Sequence, residues 1–129
     1  MRALAVVFFS MILGIGVAGA QAKPWPVRAV IVTTFEFGAD TGDVAGEFQL
    51  WVEREHLDEV IEFPGGVHPL RTNKEHTVLG MVSGTTLVNA TASMMALGLD
   101  PRFDLTHAYI LVNGIAGVDP REASVGSAA

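Results

Sequence analysis

Tyr109-Ile110-Leu111-Val112-Asn113-Gly114-Ile115-Ala116-Gly117-Val118-Asp119-Pro120 is an apolar run that breaks into a glycine-bounded turn. Such a run closed by Gly predicts a strand buried on both faces, as in a parallel sheet. Gly114 and Gly117 let backbone N–H groups come close to a ligand at the strand's carboxyl end, where open α/β sheets bind small molecules.

Outward from this strand the pattern alternates. Val27 to Thr34 is β-branched and nearly continuous, which suits a central parallel strand ending at Phe35-Glu36-Phe37-Gly38. After the turn residues Gly38, Asp40 and Gly42, the stretch from Asp43 to Arg54 predicts a helix, with Val44, Phe48, Leu50 and Trp51 as a partial apolar stripe and Gly46 as its weak point. Val60-Ile61-Glu62-Phe63 predicts a short strand and Pro64-Gly65-Gly66 a turn. Val78 to Val82 predicts a second buried strand ending at Ser83-Gly84-Thr85. Leu87, Ala90, Met94 and Leu97 recur at helical spacing between about Thr86 and Leu99, and Asp100-Pro101 stops the helix. The order is strand, helix, strand, strand, helix, strand, each helix being available to cover a sheet face. Right-handed crossovers bring the carboxyl ends of the parallel strands to one rim. Three turns then meet there: Phe35 to Gly38, Ser83 to Thr86, and Asn113 to Gly117.

The chain has 129 residues, half of them hydrophobic, no cysteine and a net charge of −6. That composition allows one modest domain and no disulfide or thiolate metal site. Eight Lys and Arg spread through an acidic chain argue against a phosphate-tracking basic face, and with it against a nucleic-acid partner. His56, His68, His76 and His107 form no His-x-x-x-His pair, so neither a metal nor a cofactor is expected.

Met1-Arg2, the apolar run from Ala3 to Val17 and the small residues Ala18-Gly19-Ala20 predict a signal peptide over residues 1–20, cleaved after Ala20. Residues 21–26 read as a proline-broken linker, and residues 27–129 as the folded part. Nothing beyond Ala20 approaches the roughly 20 consecutive apolar residues a spanning helix needs. The mature chain is expected in the periplasm or secreted.

Phe35-Glu36 after the first strand, the block Glu47-Phe48-Gln49-Leu50-Trp51-Val52-Glu53-Arg54-Glu55 and the segment Tyr109–Pro120 together resemble the purine nucleoside permease family. The resemblance covers essentially the whole of residues 27–129. It implies a nucleoside phosphorylase-like α/β fold, a three-layer mixed sheet with helices on both faces. Members of that family run to well over twice this length, and Val118 to Ala129 ends among small residues, so the chain is expected to be an incomplete N-terminal part. The function implied is purine nucleoside binding and uptake. The alternative is a nucleoside phosphorylase or nucleosidase that cleaves the N-glycosidic bond. The partners this reading allows are a purine nucleoside, phosphate, a second copy of the chain and a membrane transporter.

Glu36 is the candidate catalytic residue: a carboxylate just past a buried strand can be desolvated, raising its pKa toward use as a general acid. Phe35 and Phe37 flank the same turn and are the candidates to stack on a purine, the alternation assigning one of them to packing instead. Ser83, Gly84 and Thr85 lead into a helix, where N–H and hydroxyl groups can hold an anion or a ribose hydroxyl, or simply cap. Asn113 offers an amide to a sugar or base, or ties down its own turn, and Gly114, Ala116 and Gly117 offer backbone N–H groups. Phe48, Trp51, Met94 and Met95 are assigned to the core. The related enzymes commonly place a serine at Ile115, and the phosphorolytic ones an arginine near Val112. Their absence argues against phosphorolysis, because charge-assisted bonds to phosphate contribute roughly 1.5–3 kcal/mol each. No spacing selects Arg28, Arg54, Arg71, Arg102 or Arg121 as a replacement.

Overall fold

The computed structural model describes residues 22–115 and 119–124. The signal-peptide assignment with its cleavage after Ala20, and the candidates Ala116 and Gly117, lie outside the described residues.

The sheet grows from β2 (Ala29–Thr33), whose five residues are apolar or β-branched. β2 pairs in parallel with β5 (Val78–Val82) on one side and β7 (Tyr109–Val112) on the other. β4 (Leu70–Thr72) runs antiparallel on β5, and β3 (Glu59–Ile61) antiparallel on β4, giving a five-stranded mixed sheet in the order β3-β4-β5-β2-β7. A two-residue parallel pair, β1 (Trp25–Pro26) with β6 (Phe103–Asp104), stands apart. β4, β1 and β6 are too short to have been visible as periodic patterns.

Alternation along β5 assigns the two helices to opposite faces. Leu79 and Met81 share a buried cluster with Val30, Val32, Leu70 and Leu97, the last from α2 (Leu87–Gly98). Val82 packs instead with Phe48, Val52 and Leu57 at α1 (Gln49–Arg54), with Val78 against them. Gly80 lies on that second face, where an added Cβ would stand 2.7 Å from the Phe48 ring and 2.8 Å from Leu57. The ring thus sits directly on the sheet backbone, which only a glycine permits.

Three expectations are corrected. β7 is not buried on both faces: it is an edge strand whose Tyr109, Ile110, Leu111 and Val112 are all exposed. The predicted helix over 43–54 begins only at Gln49, because the Glu36 carboxylate takes up the backbone N–H groups of Gly46, Phe48 and Gln49 and holds the preceding segment in bends. Met95 is exposed, while Met94 packs against the core.

Candidate functional site

The carboxyl ends of β2, β5 and β7 share one rim, as parallel pairing requires. Between the β2 and β7 ends, beside α1, a cleft of about 520 Å³ is lined by Phe35, Phe37, Ala45, Gly46, Glu47, Leu50, Trp51, Arg54, Glu55, Asn113 and Ile115. That volume lies in the ordinary range for small-ligand sites.

The floor is fixed by one carboxylate. Glu47 is 8% exposed. Its Oε2 accepts the Thr34 N–H and hydroxyl, both at 2.7 Å, and the Phe35 N–H at 3.3 Å. Its Oε1 accepts the Ile115 N–H at 2.8 Å. Burial pushes the Glu47 carboxyl up, but the Ile115 amide and the donors of Thr34 and Phe35 together bring it below the usual glutamate range. An ionised carboxylate therefore ties the segment after β2 to the segment after β7.

Glu36 is bound in a similar way at the start of α1. Its Oε2 accepts the Phe48 N–H at 2.7 Å and that of Gln49, and its Oε1 accepts those of Phe37, at 2.7 Å, and Gly46. Burial raises its pKa, yet the amides of Gln49, Phe37, Gly46 and Phe48 outweigh burial and leave it lowered. This corrects the expectation of a raised pKa: a carboxylate so held is ionised at neutral pH and carries no proton to give. The loop between β2 and α1 is anchored further by Asp40, which accepts the Arg71 Nε–H at 2.7 Å and lies 3.2 Å from His68 Nε2.

The structure brings Phe35, Phe37 and Asn113 together in the cleft. The two phenyl rings meet edge to face with centroids 5.0 Å apart. Asn113 donates its backbone N–H to the Val32 carbonyl, and its side-chain amide has no partner among the described residues. Gly114 lies just outside the lining, where an added Cβ would meet Thr34 Cγ2 at 3.1 Å. Ser83, Gly84 and Thr85 sit at the same rim but do not line the cleft, and the Ser83 hydroxyl is spent on the Thr33 carbonyl at 3.0 Å. Sequence reasoning did not place Glu47 and Arg54 in the cleft they line, and it assigned Trp51, which also lines it, to the core. Their one sequence signal is the block Glu47 to Glu55, which carries the family resemblance without assigning roles. The arrangement offers apolar and aromatic walls for a flat ring, a free amide, and one arginine at the edge.

A family model described as purine nucleoside permease matches residues 26–129. The chain is 47% identical over 55 residues to a probable purine nucleoside permease of Schizosaccharomyces pombe, covering 43% of this chain and 16% of that protein. It is 31% identical over 113 residues to a purine nucleoside permease of Candida albicans, covering 83% of this chain and 26% of that one. The chain thus spans about a quarter or less of the length of these relatives. No solved structure matches.

Proposed function

The chain belongs to the purine nucleoside permease family, and on that premise we propose that its cleft binds a purine nucleoside for uptake. The observation that carries this reading is the convergence of Phe35, Phe37, Trp51 and Asn113 in one cleft at the carboxyl ends of β2 and β7. Aromatic walls take up a purine by stacking, worth about 0.5–1.5 kcal/mol per ring beyond area burial. The Asn113 amide, donor and acceptor at once, suits a ribose hydroxyl or a base edge. The fold proposed is nucleoside phosphorylase-like. The apolar segment ending at Ala20 is proposed to export the chain, with residues 27–129 handling nucleoside outside the cytoplasm beside a membrane transporter. No helix among the described residues is long and apolar enough to cross a membrane.

The rival reading is cleavage of the N-glycosidic bond, with Glu36 assisting departure of the base. It gains no support from a carboxylate bonded to four backbone amides. The test is to incubate the chain with adenosine, guanosine and inosine, with and without phosphate, and to follow free base by chromatography alongside Trp51 fluorescence. Intact nucleoside with saturable quenching is expected. Base release abolished by Glu36→Gln would instead establish the enzyme, and quenching unchanged in Trp51→Leu would remove the cleft from the account.

A further inference from the structure

We infer that the outer face of α2 is a self-complementary contact surface on which a second copy of this chain packs, the two helices crossing antiparallel about a two-fold axis near Thr91 and Ala92. This pairing is independent of what the cleft binds.

α2 lacks what a helix at a solvent boundary ordinarily carries. It buries Ser93 and Leu97 and packs Met94 and Ala96 against the same core. Val88, Thr91, Ala92, Met95 and Leu99 follow one another at three- and four-residue spacing, half a turn round from Leu97, and all five are exposed. The large members of this stripe are open to a degree unusual for their type: Val88 is 77% exposed, Met95 57% and Leu99 75%. A surface helix normally turns charged side chains outward, whereas a helix without them on any side belongs inside a larger assembly. No Asp, Glu, Lys or Arg occurs from Thr77 to Leu99. With 12 residues, α2 is also too short to cross a bilayer.

Charge selects the occupant. The chain carries −6, so two copies repel wherever their acidic surfaces meet and can join only where charge is missing. Among the described elements, exposed apolar residues without charge occur on β7 and on the outer face of α2. β7 offers unpaired backbone at a sheet edge, which recruits a strand. The backbone of α2 is satisfied within the helix, so this face must be met by side chains, and a second copy supplies a matching set by symmetry. An axis between Thr91 and Ala92 sets Val88 of one copy opposite Met95 of the partner copy, and the reverse. Thr91 and Ala92 are small enough for the helices to approach closely at the crossing, and the flexible thioether of Met95 fills what remains. One helix pair falls short of the roughly 1,200–2,000 Å² of a standard interface, so a dimer with a Kd on the order of micromolar is expected.

The experiment is sedimentation velocity over a concentration series on the chain, Met95→Lys and Ile110→Lys, with disulfide trapping beside it. Lysine at position 110 removes edge pairing, so the association that persists in Ile110→Lys is the contact through α2. It should follow a closed monomer–dimer equilibrium. Met95→Lys should raise the dimer Kd at least about tenfold by placing a charge in the contact, and leave the Tm unchanged because the side chain is exposed. The chain has no cysteine, so Ala92→Cys reports the axis directly: under mild oxidation it should form a disulfide-linked dimer much faster than Asp58→Cys, an exposed control outside α2. A monomer at every concentration overturns the pairing, as does a dimer indifferent to Met95→Lys with Ala92→Cys no faster than the control. Binding of a monomeric chain to phosphatidylcholine vesicles, abolished by Met95→Lys, overturns it in favour of a lipid surface. A monomer whose Met95 resists oxidation by hydrogen peroxide overturns it in favour of another segment of the same chain.

Discussion

The Ile115 N–H donates to Glu47 Oε1 at 2.8 Å, joining residues 68 positions apart. Since Oε2 of the same carboxylate holds Thr34 and Phe35, one side chain sets the spacing of two rim segments that both line the cleft. Glu47→Ala would leave those donors without their acceptor in a part-buried setting. A loss of about 2–3 kcal/mol is expected, with Glu47→Gln intermediate because one oxygen remains. Urea unfolding measures the loss, and hydrogen exchange at the Ile115 amide should accelerate in both variants. An unchanged exchange rate would mean the bond does not hold the β7 end in place.

Acid sensitivity follows from the same chemistry. Glu36 and Glu47 both have lowered pKa values in the folded chain. A depressed folded pKa contributes stability that is fully present above the unfolded value, near 4.3 for glutamate, and is lost as pH falls through the folded value. Stability is therefore expected to be flat from neutral pH down to about 5 and to decline below that. Glu36→Gln and Glu47→Gln should each be less stable at pH 7 and show a shallower acid decline. Thermal melts across pH 3 to 7 decide the matter: parallel curves for wild type and variants would locate the acid-labile groups elsewhere.

What was legible depended on how local the determining interaction is. β5 coincides with the run Val78–Val82, and α2 falls within one residue at each end of the expected helix, because apolar spacing alone defines them. The start of α1 was misread because Glu36, ten or more positions upstream, takes the N–H groups of Gly46, Phe48 and Gln49. β4 escaped because Leu70-Arg71-Thr72 is three residues held by its neighbours' pairing. Glu47 could not be recognised as the floor of the cleft, since a glutamate in an apparently helical stretch reads as a solvated face until the segments after β2 and β7 are brought to it. The apolar run of β7 correctly announced a strand, but burial depends on what covers it, which no run of residues encodes.

Gly80 separates packing from backbone preference. A methyl group there would meet Phe48 and Leu57 inside ordinary contact distance, so Gly80→Ala is expected to destabilise by about 1–3 kcal/mol through overpacking. Gly98, at the end of α2, has open space where its Cβ would stand. Gly98→Ala should be neutral or stabilising by up to about 1 kcal/mol. The pair is compared by denaturant midpoints. Equal effects would show that Phe48 does not rest on the β5 backbone.

Ile110 tests the consequence of the exposed edge. It lies beside buried Val30 in the β2–β7 register, yet it is 55% exposed while Val30 is fully buried. An apolar edge strand with unpaired backbone groups on its outer side is a template for pairing with another chain. Concentration-dependent association is therefore expected for the chain, and a lysine at this position should suppress it by adding charge to the edge. Because Ile110 contributes little burial, Ile110→Lys should cost less than about 1 kcal/mol of stability. Sedimentation velocity over a concentration series reads the association, and chemical unfolding reads the cost. Association equal in the two proteins would exclude β7 as the contact, and a large loss of stability would mean that this strand is covered in solution.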